Sequence, residues 1–341
     1  MRKRITPACA SIAAAGLALL GAGPASAASS SPNSTVLPLT GYSSIAIDSA
    51  HQQVFISGGG TGPVEATDFA GNPVTSLGVL DGATSLALSA NSGLLYAAIT
   101  GTDQIAVVNT ATLQEAAVYF LGSGVDPRHL AVIGHDIWFS YSSGATGEIG
   151  VLDPTTLSVT ATAEPAFYGA PLLAASSTAA DTLVAGNGYE SPSVVESFDV
   201  SSGAPVEIAK SDPWTQSDGC ENLQQLAITQ NGADVITACG SPYHGSSLTL
   251  AGMTEDATYQ TGAYPSAVGV ASTGQIAIGI DGSSSSVYLF TPGDSTATSS
   301  YQLSGFGVYG LAWNAAGNVL FAISSQSVNS AAPVLTIIDV P

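Results

Sequence analysis

Short apolar runs rich in Val, Ile, Leu, Tyr and Phe recur along the chain, separated by Gly, Ser, Asn, Asp and Pro. The clearest stretch is 94–132. Leu94-Leu95-Tyr96-Ala97-Ala98 is followed by a polar turn and then Ile105-Ala106-Val107-Val108. The turn Asn109-Thr110-Ala111-Thr112 leads to a third run, 116–121, and after Gly124-Val125-Asp126-Pro127 comes Leu130-Ala131-Val132. Runs this short, bounded by turn formers and enriched in β-branched and aromatic residues, predict strands. Beyond the first 30 residues no sustained 3.6-residue period competes with them, so the chain reads as all-β.

The cassette repeats. Aligning the run that follows each long loop by its small central residue gives Ala46, Ala87, Ala131, Ala174, Ala227, Gly269 and Ala312, with steps of 41, 44, 43, 53, 42 and 43 residues. Seven units of about 43 residues with four strands each predict a seven-bladed β-propeller. The long fourth step marks an insertion around 209–221. A small residue suits the innermost strand, where blades converge on the axis. The seventh unit stops after three strands at Asp339, while 35–39 precedes the first unit where an outer strand belongs. The segment 35–39 is therefore expected to close the last blade, with Pro38 on an edge that can spare a backbone donor.

The repeat resembles the YVTN-type β-propeller family. Leu95-Tyr96-Ala97, Ile105-Ala106-Val107-Val108-Asn109-Thr110-Ala111-Thr112 and Gly124-Val125-Asp126-Pro127 carry the resemblance, and Ile149-Gly150-Val151-Leu152-Asp153-Pro154-Thr155-Thr156 repeats its middle element. It extends over 35–341, strongest in the second and third units. The Tyr-Val-Thr-Asn tetrapeptide itself is absent. The resemblance implies a seven-bladed extracellular propeller and no particular reaction.

The first residues read differently. Arg2-Lys3-Arg4, an apolar 8–23 and the small-x-small Ala25-Ser26-Ala27 make a secretory signal peptide over 1–27, with 28–34 as a linker and 35–341 as the propeller. Nothing later is apolar for long enough to span a bilayer. Cleavage after Ala27 leaves Arg128 and Lys210 against 25 acidic side chains, a net charge of −23. Such a surface excludes nucleic acid and anionic membranes as partners, because both require clustered cations. Cys220 and Cys239 survive cleavage and flank neighbouring strands of the fifth unit. In an exported chain they are expected to form a disulfide. The four histidines are scattered, so no metal site or cofactor is expected. Asp68, Asn109, Asp153, Asp199 and Asp339 end third strands one per unit, which suits turn capping and not a shared ion.

Chemistry concentrates in the loops. With strands running up and down, the fourth-to-first and second-to-third connections share one mouth. There lie Tyr42, Arg128, Tyr168, Tyr189, Trp214, Tyr243, His244, Tyr264 and Tyr309. They are the candidate ligand-binding residues, with Arg128 as the anion handle; the competing assignment is that several rings plug the channel. No tight His/Glu/His group, nucleophilic triad or phosphate-binding loop is recognisable, Gly58-Gly59-Gly60 being followed by neither helix nor Lys. The expectation is a secreted monomeric propeller that binds an extracellular protein, peptide or glycan without catalysis. The alternatives are a hydrolase or lyase with carboxylates in the central channel, and a cell-surface scaffold without a small ligand.

Overall fold

Seven four-stranded antiparallel sheets form the structure, a computed structural model that describes residues 32–60, 62–212, 220–282, 286–327 and 330–341. The signal-peptide expectation over 1–27 lies outside the described residues. Blades 1 to 6 span 44–77, 83–120, 130–168, 172–210, 221–260 and 265–302, each with its four strands paired in chain order. Blade 7 takes three strands from 306–339 and its outer strand from Asn33–Val36. Inner strands contact those of the next blade all the way round, from blade 7 back to blade 1, which makes the sheets a ring.

The closing strand starts two residues earlier than the hydrophobic pattern places it. Asn33 pairs with Ile337 and Val36 with Val334, so Asn33 and Ser34 belong to the sheet. Leu37 still donates its N–H to the Pro333 carbonyl at 2.9 Å, whereas Pro38 lies past the pairing. The difference is physical: Asn33 and Ser34 are polar and exposed, so backbone pairing, the Ser34–Thr336 hydroxyl contact (2.9 Å) and the Asn33 Nδ2 donation to the Ala70 carbonyl (3.1 Å) recruit them, not apolar burial.

Second and third strands are buried from both sides, as their apolar content requires. Phe55, Leu95, Ile137, Phe139, Val184, Val235, Ile278 and Phe321 are essentially solvent-free. They form apolar layers between successive blades, such as the one that joins Leu37 and Leu39 to Val54, Ile56, Phe321, Ile323 and Leu335.

Polar side chains stitch these layers at one recurring position, two residues before the small inner-strand residue. Ser44 Oγ accepts the Leu86 N–H, Ser85 Oγ the Leu130 N–H and Gln225 Oε1 the Val268 N–H, each at 3.0 Å and each across a blade boundary. Trp313 Nε1 donates to the Gly269 carbonyl at 3.2 Å. Ser57 and Ser266 donate to Ala83 and Val308 of the following blades, and Ser197 to Leu250 at 2.7 Å. Inner-strand amides with no partner in their own sheet are satisfied this way, which the near-complete pairing of buried backbone groups demands. In blade 7 the same position is Gly310, and the Tyr42 hydroxyl fills the space a Cβ would need.

Cys220 and Cys239 form a disulfide with Cα atoms 5.5 Å apart. Cys220 immediately precedes the inner strand Glu221–Ile228, and Cys239 lies within the second strand Asp234–Ser241. Closing a loop with a sequence separation of 19 contributes about 3 kcal/mol on a chain-entropy basis. Replacing both cysteines by Ala is expected to lower unfolding stability by that order, measured as a shift of the urea midpoint at unchanged slope.

Candidate functional site

Because each blade's inner strand begins at the same end as its second strand finishes, the blade-to-blade loops and the second-to-third loops share one face. The face carries one tyrosine pair and two further exposed tyrosines on neighbouring blades. Tyr243, in the second-to-third loop of blade 5, meets Tyr264 at the start of blade 6 edge to face, with centroids 5.2 Å apart and planes at 68°. The hydrogen bond to Tyr264 holds the Tyr243 phenol above its ordinary range. In blade 4 the Tyr189 ring lies over Gly169, whose φ of +76° and missing side chain admit it, and Tyr168 is adjacent. Tyr168, Tyr189, Tyr243 and Tyr264 are 51–56% exposed although large and aromatic. Trp214 falls in the blade 4–5 connection, outside the described residues.

The other candidates part from this arc. Tyr42 is wedged against Gly310 between blades 1 and 7, and burial pushes its phenol above the ordinary range. Tyr309 is half-buried on the inner strand of blade 7, where its pKa is raised chiefly by burial. Both rings pack against neighbouring strands, and neither is among the residues that line the central channel. His244 opens a third strand and is buried, its Nδ1 near the Gly245 carbonyl (3.2 Å), because in that strand's alternation it points into the blade. Arg128 is exposed on blade 3; its N–H donates to the Ser140 carbonyl at 2.8 Å. The arc proper is the four tyrosines Tyr168, Tyr189, Tyr243 and Tyr264, spread over blades 3 to 6.

Polar groups accompany it that the loop census did not single out. Asn187 Nδ2 donates to Glu190 Oε2 at 2.8 Å, while Asn187 Oδ1 accepts the Tyr189 N–H at 3.0 Å and so fixes the ring's carrier loop. Asp281 is tied to Tyr264 through its N–H (2.8 Å to the Tyr264 carbonyl). Burial raises its carboxyl pKa, partly offset by the Tyr309 hydroxyl, and its Oδ1 is buried without a hydrogen-bond partner. Nothing in the sequence signals that the inner strand of blade 7, at Gly307, would lie against its Oδ1.

The central channel holds a cavity of about 500 Å³ lined by the inner strands of all seven blades. Its walls are aliphatic residues, Trp313, Ser176, Gln225 and Gln230, with no carboxylate. The carboxylates whose pKa is raised sit elsewhere. Glu196 is raised by burial and partly offset by Lys210 (2.8 Å); Asp234 is raised by burial and by Asp256. A channel enzyme built on paired acids therefore lacks its acids among the lining residues.

On the opposite face the turn-capping expectation describes four of the strand-end residues. Asp68, Asn109, Asp153 and Asp199 accept backbone N–H groups of their turns at 2.7–3.3 Å. Side-chain hydrogen bonds from Asn72, Thr156 and Ser201, foremost, hold the three carboxyls below the usual range. Cross-strand pairing also brings together one group that linear spacing hid: His135 Nε2 lies 3.3 Å from Asp136 and 3.9 Å from Asp153, all solvent-accessible.

The fold defines the class: a seven-bladed β-propeller, with four exposed tyrosines on one face spread over blades 3 to 6. Solved structures agree on the fold. The chain is similar to a chain of Kuenenia stuttgartiensis hydrazine synthase (TM-score 0.68, 16% identity, covering 89% of this chain and 97% of that one). It is similar also to U3-55K (TM-score 0.70, 14% identity, covering 90% and 98%). No family model and no curated protein matches the sequence, so the YVTN likeness remains a resemblance in the repeat.

Proposed function

We propose that this is a secreted, non-enzymatic recognition propeller whose tyrosine arc over blades 3 to 6 binds a glycan. The carrying observation is four half-exposed tyrosines gathered on adjacent blades of one face. Exposing such rings is unfavourable unless something covers them, and paired tyrosines present flat faces for sugar C–H groups with hydroxyls for sugar oxygens. Glu190 adds a hydrogen-bond acceptor beside the rings. A protein or peptide ligand would use the same rings; the small number of charged side chains, 9% Asp, Glu, Lys and Arg, leaves a surface rich in hydroxyl and amide groups that suit a glycan. Export is supported by the basic-apolar-small pattern of residues 1–27 and by the disulfide.

Double replacement of Tyr243 and Tyr264 by Ala is expected to weaken retention on a glycan array at least tenfold, with the thermal midpoint within a few degrees of the parent. Both rings are half exposed, so their loss leaves the core intact. Equal retention by parent and variant would remove the reading and leave a scaffold without a ligand.

A further inference from the structure

A second concave site lies on the face away from the tyrosines, between blades 5 and 6. Its volume is about 370 Å³, within the roughly 300–1,000 Å³ usual for small-ligand pockets. Asp234 opens the second strand of blade 5, and Asp256 stands on that blade's outer strand. Tyr259 forms the inner wall, 2% exposed, its ring set edge-on to Phe290 at 5.3 Å. The Tyr259 hydroxyl accepts the Gly293 N–H at 3.2 Å and is hydrogen-bonded to the Ser247 side chain, which fixes the ring as a wall. Pro292, Ala257 and Gly274 complete an apolar side.

Asp256 is the residue the fold does not ask for. It is the extra residue of a β-bulge, between the Ser247–Ala257 and Leu248–Glu255 pairs. Blades 1, 2 and 4 carry the same bulge, and there the extra residue is Val74, Ala116 and Ile208. The bulge thus tolerates apolar residues, and a carboxylate at this one copy owes nothing to the architecture. Bulges also re-aim side chains, and this one brings a second acid to the cleft that Asp234 already lines. Burial and the Asp256 charge hold the Asp234 carboxyl above its ordinary range, and no Lys or Arg lines the cleft to relieve that repulsion.

We propose that this cleft binds an alkylammonium group, its charged head between Asp234 and Asp256 and its stem along Pro292 and Tyr259. A cation removes the like-charge repulsion, accepts nothing and donates to both carboxylates, while the apolar wall covers the methylenes. The chain's formal charge of −20 raises the local concentration of such cations. The same chemistry is offered by a free alkylamine and by a lysine side chain of a peptide.

Isothermal titration of the intact protein with hexylammonium, with N-acetyl-lysine methylamide and with hexanol tests this. Saturable binding of the two ammonium compounds is expected, with none for hexanol. Tighter binding of the lysine derivative assigns the site to a peptide, and the reverse order to a free amine. The Asp234→Asn/Asp256→Asn double variant should bind at least tenfold more weakly, and the single Asp256→Asn, at an exposed position that cannot compromise folding, should fall between. Tyr243→Ala/Tyr264→Ala on the other face should bind normally, which separates this site from the glycan reading. Equal affinity of parent and double variant, or hexanol binding as well as hexylammonium, overturns the proposal.

Discussion

Removal of residues 33–39 is expected to abolish cooperative unfolding altogether. The segment supplies the outer strand of blade 7, hydrogen-bonded to the chain's last strand, and it places Leu37 and Leu39, 3% and 5% exposed, in the layer between blades 7 and 1. Truncating a buried Leu costs about 2–5 kcal/mol on its own. Two such losses with a lost strand ladder match or exceed the roughly 5–15 kcal/mol that holds a typical domain together. Leu37→Ala alone should lower stability by about 2–5 kcal/mol while retaining a single transition in urea. A peptide spanning 32–40, added to the truncated protein, should restore that transition in proportion to its concentration, because the ring is closed without a covalent link. A truncated protein that melts as sharply as the parent would mean that seven three- and four-stranded sheets hold a ring unaided.

The second large effect is expected on acidification, through His129. Its imidazole is buried at the start of blade 3, and burial foremost, with the Arg128 charge second, lowers its pKa from 6.5 to about 4. The folded protein therefore holds His129 neutral where the unfolded chain takes up a proton. Stability from this residue is complete above pH 6.5, falls as the pH drops, and levels off once the folded form also protonates near pH 4. The total is about 2–3 kcal/mol. His129 occupies the position filled by Ser44, Ser85 and Gln225 in blades 1, 2 and 5, so His129→Gln keeps a neutral polar group there. The variant should show a flat urea midpoint between pH 6.5 and 4, where the parent declines. Below pH 4 both should weaken together, as Asp68, Asp153 and Asp199, held below their usual range by turn hydrogen bonds, become protonated. Parallel curves throughout would remove His129 from the account.

Much of the architecture was legible because a propeller repeats its demands. A small residue must recur where inner strands crowd the axis, and the steps between Ala46 and Ala312 count the blades directly. The closing strand was legible for the same reason, as a missing fourth strand at one end and a spare one at the other. Its limits were not, since Asn33 and Ser34 carry no apolar signal and are recruited by backbone pairing and polar side-chain contacts.

The Ser and Thr content reads in sequence as a wetted surface. Structure shows that part of it is interior: Ser57, Ser85, Ser197 and Ser266 are buried and join blades. Hydropathy cannot separate a serine facing water from one facing a stranded amide. Loop position identified the face of each candidate ring and could not say which rings were free. Tyr42 is partly buried because Gly310, almost the whole chain away, leaves its hydroxyl a slot. His244 is buried because it is the first residue of a strand and not the last of a loop. The blade 5–6 cleft escaped sequence reading because one extra residue in the outer strand, Asp256, re-aims a carboxylate without leaving any composition signal.

The blade assembled from both ends of the chain also fixes an order in time. As the chain is made, 33–36 is available long before the residues it pairs with, 334–337. Until then six blades can zip up through neighbouring hairpins, while the first strand waits with an unpaired edge and two leucines in water. Contacts spanning nearly the whole length are slow to form, so the final docking of this strand should set the pace of maturation. Anything that binds the waiting segment would hold the molecule open.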